Sequence, residues 1–204
     1  MQTRWVSSQM TWLGVMTRRS PWISSAMSTL GLASTGGIEI RLRNDDTIRG
    51  SPVASSAAMP ADGQQVAIGD QQLTWHAVDT LGYNLNLFHF AYARNKPTSN
   101  VLFWTTTIVE APRDIPGVRL AIGSNAASVW WLNGEEVIGL YNDRQAVIDD
   151  GVSKRVTLKK GTNVIRAAIV NGGGATDFCA RFIDEDGTPV KGFITRVASQ
   201  GADR

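Results

Sequence analysis

Apolar and polar residues alternate along most of the chain, and the alternation breaks at short turn signals. Ile38, Ile40 and Leu42 fall on one side of the segment 38 to 43, and Glu39, Arg41 and Arg43 on the other. A period of two is that of a strand with one face buried. The segment runs into Asn44-Asp45-Asp46, residues that favour a turn. Residues 51 to 65 are small and polar, with Pro52 and Pro60, and read as a linker. From residue 66 the pattern becomes strand, turn, strand. QVAIGDQQLTWHAV gives two short strands about Gly69-Asp70, and NVLFWTTTIVEA is rich in β-branched and aromatic residues. YNLNLFHFAYA alternates as well, with Leu85, Leu87, His89 and Ala91 against Asn86, Phe88, Phe90 and Tyr92, and predicts another strand. GVRLAIG, SVWWL, EEVIGLY, RVTL, TNVIRAAIV and DFCARFI follow, separated by Pro116-Gly117, Gly123, Asn133-Gly134, Lys160-Gly161, the Gly172 to Gly174 run and Asp186-Gly187. Strands and turns in such close succession predict an all-β sandwich of antiparallel sheets. No segment after residue 38 keeps a helical period, so long helices are not expected.

Asn133-Gly134 is the strongest hairpin signal, because a type I′ turn needs positive φ at both central residues. It fixes the parity of SVWWL. Ser128, Trp130 and Leu132 point to the core, while Val129 and Trp131 point outward. An aromatic on an outer face can stack on a sugar ring or a partner, or lie under another part of the chain. The second hairpin turns at Gly161, with Asn163 placed to hydrogen-bond the turn locally.

Composition narrows the class of protein without naming a function. The net charge is +2 over 204 residues, too small an excess to point to nucleic acid or to a membrane surface. No stretch approaches the roughly 18 continuous apolar residues of a membrane-spanning helix. The single cysteine, Cys179, cannot form an internal disulfide and reads as a small apolar filler in a strand. Residues 1 to 38 contain no Asp or Glu, and carry Arg4, Arg18, Arg19, Trp5, Trp12 and Trp22. That composition suits either a targeting leader or an arm packed on the body, and Arg18-Arg19 loosely resembles a twin-arginine export signal. The expected organisation is residues 1–37 as leader or arm, 38–65 as first strand and linker, 66–197 as the β-sandwich, and 198–204 as a tail.

The sequence holds no nucleophile elbow and no phosphate loop. His76 and His89 are the only histidines; His89 is expected in the core beside Leu85 and Leu87, and His76 toward solvent. No enzymatic activity is expected. A glycan site needs an aromatic platform with hydrogen-bonding side chains beside it. Trp131 is the first candidate platform, with Tyr141, Asn142, Asp143 and Arg144 in the loop after it, Asn171 and Asp177 flanking the glycine run, and Trp104 and Tyr92 as further aromatics.

Gly123-Ser124, Trp131-Leu132-Asn133-Gly134, Leu158 to Asn163, and Phe178 to Gly187 together resemble the galactose-binding-like jelly-roll β-sandwiches of bacteria. The resemblance spans roughly residues 66 to 195 and rests on turn and core residues. It implies an accessory domain of a carbohydrate-active or cell-surface protein, secreted or displayed at the surface. Its ligand would be a polysaccharide or other glycan, and an enzyme could be attached to it or associated with it. It also implies a structural calcium, for which Asp45, Asp184 and Asp186 are the candidates, since calcium takes six to eight oxygens. Where relatives of this kind carry an acidic pair, this chain has Asn125-Ala126. The alternative from a different class is a self-assembling structural protein whose N-terminal arm and exposed aromatics make subunit contacts.

Overall fold

The computed structural model describes residues 9–17, 27–32, 38–42, 47–50, 62–68, 71–80, 83–99, 101–125, 127–141, 145–171 and 174–196. In chain order the elements are β1 (Gln9–Thr17), β2 (Met27–Leu32), β3 (Ile38–Leu42), β4 (Thr47–Gly50), β5 (Gln65–Ile68), β6 (Gln71–Thr80), β7 (Leu85–Asn86), α1 (Leu87–Tyr92), β8 (Val101–Ala111), β9 (Ile115–Ser124), β10 (Ala127–Leu132), β11 (Glu135–Leu140), β12 (Gly151–Leu158), β13 (Gly161–Asn171), β14 (Asp177–Ile183) and β15 (Ile194–Arg196). The protein is a β-sandwich of two antiparallel sheets. The larger runs β11-β10-β13-β8-β1-β6-β5, with β15 also on β8; the smaller runs β12-β9-β14-β7. A third, three-stranded sheet is formed by β2, β3 and β4.

Register explains the core. Val101, Phe103 and Val109 of β8, Ala167 and Ile169 of β13, and Trp130 and Leu132 of β10 share the inner face of the large sheet. They meet Leu120 and Ile122 of β9 and Phe178 and Phe182 of β14 on the small sheet. Trp130 packs edge to face on Phe178 at 5.6 Å, and its indole donates to the Ser128 hydroxyl at 3.1 Å. Burying one large side chain of this kind contributes about 3 kcal/mol.

The sandwich is closed along both sides. On one, β11 lies against β12, so tightly that a Cβ at Gly151 would meet Leu140 and Ile138 side chains at 2.9 and 3.0 Å. On the other, α1 fills the gap between β7 and β6, with the His76 ring against Phe90 at 5.8 Å. Here the structure corrects the strand expected over Tyr83 to Ala93. Asn86 accepts from the His89 amide at 2.7 Å and caps a helix whose Leu87, Phe90 and Ala91 are buried at helical spacing. Alternation over Leu85 and Leu87 was shared by both readings, and the cap decided between them.

The hairpins follow the sequence. Asn133 and Gly134 have φ of 54° and 86°, as a type I′ turn requires. Asn163 Nδ2 donates to the Lys159 carbonyl at 2.7 Å, its Oδ1 accepts from the Lys159 amide at 2.9 Å, and Asn133 Nδ2 ties the two hairpins together through the same oxygen at 3.0 Å. Residues 9–17 also enter the body: β1 pairs with β6 on one edge and β8 on the other.

Candidate functional site

The strand directions gather the loops at one end of the sandwich. β11, β13 and β9 end there, at Leu140, Asn171 and Ser124, while β10, β12 and β14 begin there, at Ala127, Gly151 and Asp177. Tyr141, Asn171 and Asp177 therefore share this end. Asn142, Asp143 and Arg144 lie outside the described residues.

Trp131 and Trp104 are corrections. The parity is as expected, since Trp131 pairs with Arg166 and Glu136 on the face of the large sheet away from Trp130. That face is itself covered: Trp131 and Trp104 are each 3% exposed, and Trp75, two strands beyond Trp104, is 1% exposed. The Trp104 and Trp131 rings lie 6.2 Å apart, beside Val129 and Ala168, which are also buried. A period of two tells which face a residue takes; it cannot tell whether a sheet has one covered face or two. Neither tryptophan is a sugar platform.

Tyr141 is the aromatic that this end does expose, at 47%. Its ring is seated on β11. A Cβ built on Gly139 would fall 2.5 Å from the Tyr141 hydroxyl and 2.6 Å from Cζ, so the ring occupies the space that a side chain at 139 would fill. Glu136 faces the phenol; burial, the Glu136 charge and a hydrogen bond to Glu136 raise the phenol above its ordinary value. The hydroxyl end of the ring thus lies at Gly139, while nearly half of the residue stays open to solvent. Gly139 and Glu136 were not singled out in the sequence. The available signal was a glycine two residues before an aromatic, which puts both on one side of an extended chain.

The remaining polar residues at this end hold the loops. Asn171, buried, donates from Nδ2 to the Thr98 carbonyl at 2.7 Å. Asn125 keeps its turn role by accepting from the Asp177 amide at 2.7 Å, and Asn84 Nδ2 donates to the Asp177 carboxylate at 3.2 Å. The loop after Tyr141 is pinned to the small sheet by a two-oxygen contact of Asp149 with the Arg181 guanidinium. The Val147 carbonyl sits where a Cβ at Gly123 would be, 2.0 Å away, with Cys179 Sγ at 2.8 Å. Burial raises the Cys179 thiol, in keeping with a filler rather than a nucleophile. Val147 and Ile148 on the same loop are 54% and 57% exposed.

The histidines exchange their expected places. His89 is exposed on α1, because the helix turns it away from Leu87 and Phe90. His76 is half-buried against Phe90, and burial together with Arg94 lowers it below its ordinary value.

Asp184 and Asp186 lie at the opposite end of the molecule, beyond the last residue of β14. One Asp184 oxygen accepts from the Asp186 and Thr188 amides at 3.0 and 2.8 Å, shaping the turn. Among the described residues no three acidic, histidine or cysteine side chains gather as a metal site; Asp45 lies outside them.

No family model matches the sequence, and no curated protein matches it. Of the galactose-binding-like expectation, the β-sandwich is what the structure carries. Solved structures with a related shape include a PA14 sugar-binding domain from an RTX adhesin, 14% identical with a TM-score of 0.37, covering 49% of this chain and 54% of that one. A PA14 domain of an antifreeze protein is 8% identical, with a TM-score of 0.43 and coverage of 96% and 94%. A β-glucosidase from Kluyveromyces marxianus in complex with glucose is 21% identical, with a TM-score of 0.40 and coverage of 60% and 16%. The chain thus spans about half of the adhesin domain and a small part of the glucosidase.

Proposed function

We propose that this protein is a non-catalytic glycan-binding accessory module, secreted or displayed at the cell surface, with its sugar platform at Tyr141. The observation that carries the reading is the seated ring: Tyr141 lies over Gly139, its hydroxyl edge is fixed near Glu136, and it is 47% exposed at the loop end. A ring held in place loses little freedom when a pyranose stacks on it, and Glu136 stands beside it to accept sugar hydroxyls. Asn142, Asp143 and Arg144 follow in sequence and are the proposed polar partners. A shallow, open site of this kind buries little area and gives modest affinity.

The assembly alternative places subunit contacts on the N-terminal arm and on exposed aromatics. β1 spends both edges on β6 and β8 of its own chain, which weighs against that use.

Electrophoresis through gels containing neutral polysaccharides, with and without chelator, tests the reading. Retardation by at least one polymer, unchanged by chelator, is expected. Migration unaffected by every polymer overturns it, and retardation lost with chelator assigns the site to calcium instead.

A further inference from the structure

We propose that the Tyr141 locus selects a glycan carrying free amino groups, held by the half-exposed Tyr141 ring and the Glu136 carboxylate together. The inference rests on the reading of Tyr141 as the sugar platform and names the class of sugar that the platform prefers.

A β-bulge brings the two residues to one face. On β11, Gly139 stands opposite Val129 and Ile138 opposite Trp130, but the residue opposite Trp131 is Glu136, so Val137 is the extra residue. In a regular strand Glu136 and Gly139, three apart, would point to opposite faces. The bulge gives Glu136 the face that Gly139, Val129 and Trp131 share. Val129 and Trp131 are two residues apart, so Gly139 and Glu136 are separated by about 7 Å along that face. The Tyr141 hydroxyl fills the Cβ space of Gly139, 2.5 Å from the built atom, and a glutamate side chain spans the rest. The hydrogen bond between the phenol and Glu136 follows from this placement.

The carboxylate is left without a cation. Among the described residues no lysine or arginine pairs with Glu136. Lys154 pairs with Glu135 instead, and Arg166, in the same cross-strand row as Glu136, lies two strands away beyond Trp131. Glu136 is half-buried, so its charge is only partly satisfied by water. The phenol fills one acceptor position of a carboxylate and neutralises none of its charge. An ammonium group supplies the charge and the N–H donors, and it is attracted to an aromatic ring as well. A pyranose lying on the Tyr141 ring carries its equatorial substituents out past the ring edge, and the hydroxyl edge is where Glu136 stands. An amino sugar therefore offers its ring to the phenol and its ammonium to the carboxylate. N-acetylation removes that charge, and a hydroxyl in its place never carries one. A net charge of +2 gives the protein no general attraction for polycations, so the preference is local. A lysine side chain has the ammonium but no ring to stack on Tyr141.

The test is titration calorimetry of the full chain with six-sugar fragments of chitosan, chitin and cellulose, and with hexalysine. The buffer is slightly acidic, so that sugar amines are protonated and ordinary carboxylates are not. The chitosan fragment is expected to bind at least about ten-fold tighter than the other two sugars. Raising salt to about 0.5 M, which needs no variant, is expected to erase that preference without weakening the cellulose fragment. Glu136→Gln, checked by thermal melting, is expected to bring the chitosan and cellulose fragments within about two-fold of each other. No binding of the chitosan fragment, equal affinity for chitosan and cellulose fragments, a preference that survives Glu136→Gln or high salt, or tighter binding of hexalysine overturns this inference alone. Undiminished binding of every fragment by folded Tyr141→Ala ends the Tyr141 reading, and this inference with it.

Discussion

Gly139 shows how much one missing side chain can decide. The Tyr141 ring uses the space of its Cβ, so Gly139→Ala should push the ring outward. The neighbouring atoms belong to the tip of a side chain that can move, so the expected cost is binding rather than fold. Affinity for a retained neutral polymer should fall about ten-fold, with the thermal midpoint nearly unchanged. Gly123 is the opposite case, because its near neighbour is backbone: Gly123→Ala would drive a Cβ into the Val147 carbonyl. Chemical denaturation should show a loss of about 2 kcal/mol or more. Trp131→Ala removes a buried ring and should cost about 3–5 kcal/mol in the same experiment, where a surface platform would cost almost nothing. Titration adds a further residue-scale expectation. Tyr83 and Tyr141 are raised chiefly by burial, so the folded state holds their neutral phenols more firmly than the unfolded chain does. Their contribution is complete below the ordinary phenol value of 10.0 and is lost as pH rises through the raised values. Denaturant midpoints measured from pH 8 upward should therefore fall above about pH 10, and the fall should shrink in Tyr83→Phe.

At the scale of elements, local chemistry carried further than periodicity alone. Asn133-Gly134 and Gly161 set their turns, and the strands that flank them match the alternation of SVWWL and RVTL. The helix α1 was hidden because six residues are too few to display a helical period, and because Leu85 and Leu87 satisfy alternation equally well. The Asn86 cap is the deciding residue. Asn86→Ala should destabilise the protein by about 1 kcal/mol and raise hydrogen exchange at the His89 amide first. The insertion of β1 between β6 and β8 had no signal in the sequence, since edge-to-edge pairing between strands far apart in the chain leaves no local trace.

For the whole molecule, the all-β sandwich was legible from the rhythm of strands and turns, and the candidate site only in part. Tyr141 was named, but second to Trp131, because the sequence shows facing and not cover. The large sheet has aromatic residues on both faces: Trp130 toward the small sheet, and Trp75, Trp104 and Trp131 away from it. A sheet covered on both faces keeps its tryptophans for stability, and the proposed recognition site falls on its rim. Tyr141 stands beside the β11–β12 seam. The most direct test of this account is calorimetric titration of the wild type and Tyr141→Ala with an oligosaccharide cut from a retained neutral polymer, each variant checked by thermal melting. The account expects Tyr141→Ala to melt like the wild type and to lose at least about ten-fold in affinity. Undiminished affinity in a fully folded Tyr141→Ala protein would contradict it.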